Sequence, residues 1–257
     1  MPFRHLPDSV IQRLAALHGA HTKWNSTAAP DRLLSAAHFA ALDLTNPASL
    51  HSVYQRDIGE SATALALQAG RTSEHDIAIG VLGMVVSHFI QVFNFGVSRG
   101  VFQRSDRAFY GLDVNRADVP PLQSHAEIDG WAHKLIDGEA ARLAAQPGAT
   151  AMALPAASAI SAALADVEAA RESQTTAKDS YDNELADVEN NRLAVDALIS
   201  DMWDTIEFNL RSSDSPSKRR RAREWGVVYL TRPGETPDPE TPAAPEEPTP
   251  PPAPPTP

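Results

Sequence analysis

Between residues 156 and 210 the chain contains neither glycine nor proline. These are the two residues that most readily end a helix, glycine through its backbone freedom and proline through its missing N–H. The stretch must therefore be one very long helix or two helices joined by a tight hairpin. Ile160, Leu164 and Val167, then Leu185, Val188, Val195, Ile199, Met202 and Ile206, recur at heptad-like spacing. The pattern lapses over the polar segment ESQTTAKDS, residues 172–180. A single helix of this length is far from the norm for a small domain, and asparagine tolerates the left-handed conformation that ends a helix. The spacing thus places a turn near Glu189-Asn190-Asn191, with ESQTTAKDS overhanging the bundle or packing on a small polar partner surface.

The preceding sequence reads as further helices. Residues 8–23 are capped by Asp8, and residues 30–44 follow Pro30 or Asp31. Residues 49–69 end at a Gly70 cap, and residues 73–99 form the most apolar helix. In that helix Ile77, Val81, Met84, Val85, His88, Phe89, Val92 and Phe95 recur every three to four positions, which predicts an inward stripe at the bundle centre. A connector carrying Gly111 and Pro120-Pro121 leads to a helix over 124–145. The fold class expected is all-α: an antiparallel helical bundle of two long helical hairpins, 49–99 and 156–211, plus shorter helices, closed by a short C-terminal helix-strand segment. The corresponding division is 1–48 (N-terminal short helices), 49–146 (first hairpin, connector and following helix), 147–232 (second hairpin and helix-strand clasp) and 233–257.

That last segment has 12 prolines and five acids in 25 residues and no base. Such a composition has almost nothing apolar to bury and reads as a disordered spacer or tether. Removing its acids takes the net charge of the chain from -11 to about -6. A surface of that sign disfavours nucleic acid as the main partner. With no cysteine, disulfides and thiolate metal sites are excluded. The N-terminus lacks an apolar core of signal-peptide length, and no window is expected to reach the length of a membrane span. The reading is a soluble, cytoplasmic chain with no membrane partner, a leaderless export route staying open.

The C-terminal stretch SPSKRRRAREWGVVYLTRPGE concentrates basic residues in an acidic protein. Ser215-Pro216-Ser217 offers a helix start and Gly226 a left-handed end. Lys218, Arg221, Ala222 and Trp225 then share one side, with Arg219, Arg220 and Arg223 more exposed. VVYL has strand character and must pair with another extended piece, the residues around Tyr110 to Val114 being the expected partner, or present an open edge. Lys218, Arg219, Arg220, Arg223, Trp225, Val227, Val228 and Tyr229 are the candidate interaction residues. Asp201, Asp204, Glu207 and Asp214 lie close enough in sequence to neutralise the arginines within the fold.

The segments SKRRRAREWGVVYLTRPGE, VVSHFIQVFNFGVSRG and SDRAFYGLDV, with the proline-rich tail, resemble a group of bacterial proteins of unknown function built of helical hairpins. The resemblance covers most of residues 50–235. It implies an all-helical bundle and brings no activity, cofactor or catalytic residue.

Nine histidines raise the question of a metal. His18 and His21 share a helix face, and in HAEIDGWAH the pairs His125 with Asp129 and Asp129 with His133 do so too. No Glu-x-x-His or His-Glu-x-x-His occurs, nor Gly-x-Ser-x-Gly, a dinucleotide fingerprint or a Walker lysine. No cofactor and no catalytic residue is assigned, and His125, Asp129, His133, His18 and His21 are kept as metal candidates. Three function classes follow. The leading one is a non-enzymatic structural or protein-interaction scaffold that engages a protein partner or a second copy through ESQTTAKDS, the VVYL edge or the tail. A metal-binding helical-bundle enzyme requires at least three of His18, His21, His51, His88, His125, Glu127, Asp129 and His133 to converge. A polyanion or nucleic-acid contact requires the nearby acids to point away from the basic residues 218–223.

Overall fold

A computed structural model describes residues 2–231, and the proline-rich segment and its role as a tether lie outside them. The elements in order are β1 (Phe3–Arg4), α1 (Val10–Ser26), α2 (Ala36–Leu42), α3 (Leu50–Ser98), α4 (His125–Ala145), α5 (Ala157–Asn209), α6 (Ser215–Arg223) and β2 (Tyr229–Leu230), with 3-10 helices at Ala29–Asp31 and Arg104–Tyr110. The fold is an all-α antiparallel bundle with almost no strand. Its long hairpin is assembled differently from the expectation. Each of the two segments read as a hairpin is one unbroken helix, α3 of 49 residues and α5 of 53, and these pack against each other.

The turns expected at Gly70 and near Asn190 do not form, for local reasons. Gly70 keeps helical backbone, the left-handed glycines being Gly100, Gly111, Gly148 and Gly226. A glycine inside a helix costs only about 1 kcal/mol relative to alanine, which lateral packing outweighs. Asn191 donates its amide to Asp57 Oδ2 at 2.7 Å and to the Asp187 carbonyl at 3.2 Å, so its side chain ties α5 to α3 instead of ending a helix. ESQTTAKDS is likewise an ordinary part of α5. Ala177 within it is buried, and Gln174 donates to Thr72 Oγ1 at 3.2 Å.

The described residues divide into two compact units, one made of those up to Gly59 with those from Leu185 on, the other Glu60–Glu184. The division read from the sequence follows loops, whereas these units are divided within α3 and α5.

In the first unit α1, α2, α6 and the adjoining ends of α3 and α5 enclose Leu17, Leu42, Tyr54, Val195, Ile199, Trp203, Ile206 and Trp225. Ser9, not Asp8, caps α1, accepting from the Gln12 N–H. α2 begins only after Ser35, whose capping box with His38 outcompetes the start expected at Pro30 or Asp31. Gly226 takes φ 88°, and a Cβ there would lie 3.1 Å from the Ala16 carbonyl, so the turn after α6 needs glycine for conformation and for space. β2 then pairs antiparallel with β1, Phe3 opposite Leu230 and Arg4 opposite Tyr229. The expected partner around Tyr110 to Val114 is instead taken up by the end of a 3-10 helix and a turn.

In the second unit α3 and α5 run antiparallel, since Leu67 and Arg71 face Ala177 and Ser180 while His75 and Ile79 face Val167 and Arg171. α4 closes the core, whose fully buried members include Leu82, Val86, Phe89, Phe93, Tyr110, Leu135 and Ile160. At Gly138 α4 approaches the Arg104–Tyr110 helix so closely that a Cβ would stand 2.6 Å from the Phe109 carbonyl oxygen. Below that contact Glu139, Arg142 and Tyr110 form a buried network. Glu139 accepts from the Tyr110 hydroxyl, from Arg142 Nε and Nη2 at 2.9 and 3.0 Å, and from the Met152 N–H at 2.8 Å.

Candidate functional site

α3 is apolar on more than one side. Of the stripe read from the sequence as inward, Phe89 is buried and Val85 packs against the core, but most of the rest faces outward. Ile79, Leu82, Val86, Phe89, Ile90 and Phe93 enter the core, while Ile77, Val81, Met84, Val92 and Phe95 are exposed, Ile77 at 65% and Phe95 at 62%. His88 sits in the exposed stripe and not among core side chains. Because a helix that is apolar all round carries two such stripes, period alone does not say which faces inward. Residues 77–98 contain no Asp, Glu, Lys or Arg. α3 accordingly holds an 18-residue window of mean hydropathy 1.8, long and apolar enough to cross a membrane, with 33% of it buried. This corrects the expectation that no window reaches such a length.

The exposed residues have a definite geometry. Ile77, Val81, Met84, His88, Gln91 and Phe95 follow one another at steps of four and three, the seam of a heptad, with Val92 beside it and Gly80 leaving room at one flank. At 1.5 Å per residue the seam is about 27 Å long.

The basic C-terminal segment is knit into the first unit. Trp225 and Val227 are buried in its core, and the Val228 carbonyl accepts the His5 N–H at 3.0 Å. The Tyr229 hydroxyl donates to Glu207; burial raises its pKa above the ordinary tyrosine value, and the carboxylate raises it further. Lys218 Nζ lies 3.8 Å from Glu207, and the Arg223 guanidinium sits 5.6 Å from the Tyr229 ring centroid. Arg219 and Arg223 are half-buried and Arg221 exposed, the reverse of the side assignment read from helical spacing, while Arg220 is exposed as expected. Of the neighbouring acids, Asp204 pairs with Arg4 and Asp201 with His38, and Asp214 caps α6 by accepting from the Ser217 N–H.

The histidines separate into groups. His18, His21 and His51 lie together, ring centroids 6.5 Å for His18–His51 and 6.1 Å for His21–His51. Their nitrogens are partly engaged elsewhere: His51 Nδ1 is 3.2 Å from the Leu42 carbonyl, and His21 Nε2 3.1 Å from the Asn25 amide. His133 and Asp129 face each other at 3.9 Å on the exposed side of α4, and Glu127 is committed to the capping box with Ser124. His125 turns instead toward α3. Its ring lies 5.6 Å from that of His75, and the ligand atoms of His75, Asp76 and His125 all stand within 4.8 Å of one another. Sequence reasoning missed His75 and Asp76, because nothing local in EHD links it to HAEIDGWAH some fifty residues on; only the pairing of α3 with α4 does.

His51 is buried, and burial, with smaller contributions from His21 and His18, holds its imidazolium pKa below the ordinary 6.5. The unfolded chain therefore takes up this proton first as pH falls through that value. Stability is complete above it and declines toward the folded-state pKa. Urea unfolding at about pH 7.5, 6.5 and 5.5 should show a stability loss over this range that is visibly flatter in His51→Gln; equal slopes would remove His51 as the cause.

No protein-family model matches the chain, and neither a curated protein nor a solved structure matches it.

Proposed function

We propose that the protein is a non-enzymatic interaction scaffold whose docking surface is the exposed seam of α3, and that its occupant is the same seam of a second copy. The observation that carries this reading is an uncharged, heptad-spaced apolar face left open on a helix whose other side fills a core. Contiguous exposed apolar surface of this kind marks contact sites.

Three properties favour a second copy. The seam positions mirror one another about its middle, so that two antiparallel helices would oppose Ile77 to Phe95, Val81 to Gln91 with Val92 beside it, and Met84 to His88. That is the self-complementarity a two-fold interface needs. The polar pair His88 and Gln91 within an apolar seam would fix register, as a buried polar residue does in coiled coils. Finally, the net charge of -11 disfavours close approach of two copies in general, whereas the strip itself carries no charge, and the same sign opposes adhesion to anionic lipid. A membrane-spanning role would require exposing to lipid the side of α3 that packs on Tyr110, Ile128 and Leu135.

Sedimentation equilibrium across a concentration series should give twice the 27.6 kDa chain mass. Val81→Glu with Met84→Glu should weaken pairing by at least about 100-fold, because each carboxylate would be buried unpaired. Both sites are exposed, so circular dichroism should not change. A wild type that stays monomeric, a variant that still pairs, or co-flotation of the wild type with lipid vesicles would overturn the proposal.

A further inference from the structure

We infer that His75, Asp76 and His125 form a binding site for a first-row divalent transition metal, with zinc the cation its donors suit best. Two imidazoles and one carboxylate are a donor set for zinc and its neighbours, not for calcium or magnesium. Zinc holds such ligands at about 2.0–2.2 Å, which puts donor atoms of one tetrahedral site about 3.3 Å apart. The three donor atoms already lie within 4.8 Å of one another, a difference within the reach of side-chain rotation. They come from two helices, α3 and α4, whose packing in the core of one compact unit holds them in register. The His75 side chain is only 13% exposed, so most of its ordering cost is met by folding.

The surroundings leave a position for a further ligand. The cluster opens on a groove of about 440 Å³ lined by His75, Ile79, His125, Asp129, Val167 and Arg171. Three protein ligands and an open place are the form of zinc sites that keep a position for water or a small ligand, where structural sites are closed by four. Charge in the groove has two sides. Arg171 and the positive end of the α4 dipole at His125 oppose a cation. Asp76 and Asp129 offset them. Arg171 lines the same groove, so a bound metal there would suit an anionic fourth ligand. Glu127, spent on the helix cap, contributes none.

This site is independent of the α3 seam. The full chain, treated with chelator and dialysed, is titrated with Zn²⁺ by calorimetry, and Co²⁺ is added in parallel to read ligand geometry from its visible spectrum. One equivalent is expected to bind, with His75→Ala and His125→Ala each weakening it at least about tenfold and Asp76→Asn shifting the Co²⁺ bands. His133→Ala and His18→Ala are expected to change nothing. His125 and Asp76 are exposed, so those variants keep the fold even if His75→Ala does not. Absence of binding, or binding that survives in both His125→Ala and Asp76→Asn, would overturn the site.

Discussion

Alanine at position 139 is expected to lower the free energy of unfolding by about 3–5 kcal/mol, the cost of breaking a buried ion pair from one side. Arg142 is 1% exposed, so its guanidinium has no solvent to fall back on. In the native chain it donates to both Glu139 oxygens, to the Tyr110 hydroxyl at 3.0 Å and to the Thr150 carbonyl at 2.8 Å. Without Glu139 its charge stays buried beside two neutral acceptors, and the Met152 N–H loses its acceptor as well. The comparison variant is Glu139→Leu with Arg142→Met, which removes both charges and should recover most of the loss. Trp131 lies in this unit, whereas Trp24, Trp203 and Trp225 lie in the other, so in a background with those three replaced by Phe its fluorescence reports the local transition.

The same network has a defined pH dependence. Burial pushes the Glu139 carboxyl up, but the bonds from Arg142, Tyr110 and the Met152 N–H outweigh it and hold the group below its ordinary value. A depressed carboxylate stabilises the fold above its unfolded-state pKa and loses that contribution as pH falls toward the folded one. The gap between wild type and Glu139→Ala should therefore be widest near neutrality and narrow progressively below about pH 4.5. A loss under about 1 kcal/mol at neutral pH, or a gap that does not change with acid, would mean the pair behaves as an exposed one.

What the sequence made legible depended on how local the physical cause was. α4 was read within a residue of its bounds, since Ser124 and Glu127 form a capping box and Gln146-Pro147-Gly148 ends the run. Gly226 was read as a left-handed end for the same reason. The α3 spacing is legible, but of the stripe it predicts as inward only Phe89 and Val85 pack and most of the rest faces outward, because apolar residues on two faces satisfy one period equally. β1 is two residues long and carries no strand pattern, so the partner of Tyr229 and Leu230 could only come from the fold. Nothing local singles out Glu139 among the acids of α4; its role comes from Tyr110, which the fold brings from a distant segment, together with Arg142. The second half of the metal cluster needed α3 to be placed against α4.

Proline at position 190 separates the two readings of residues 157–209 most sharply. Asn190 is exposed in the middle of α5, so replacing its side chain removes no packing. The effect falls on the backbone: proline deletes the donor that closes the turn with residue 186 and its ring collides with that carbonyl. In a helix interior this costs about 3 kcal/mol or more. Asn190→Ala acts in the opposite direction, because alanine is the better helix former by up to about 0.7 kcal/mol. A hairpin turn at this point would reverse both signs. Proline would be tolerated there, and alanine would lose the left-handed conformation that asparagine accepts at modest cost. No residue other than glycine takes positive φ among the described residues, which puts Asn190 in helical backbone. Urea unfolding of the two variants beside the wild type, with helicity followed at 222 nm, should place Asn190→Pro well below and Asn190→Ala at or slightly above the parent. A stable proline variant with undiminished helicity would break α5 in two and restore the hairpin; a steep loss confined to proline means that the helix continues through Asn190, tied to α3 next door by the bond from Asn191 to Asp57.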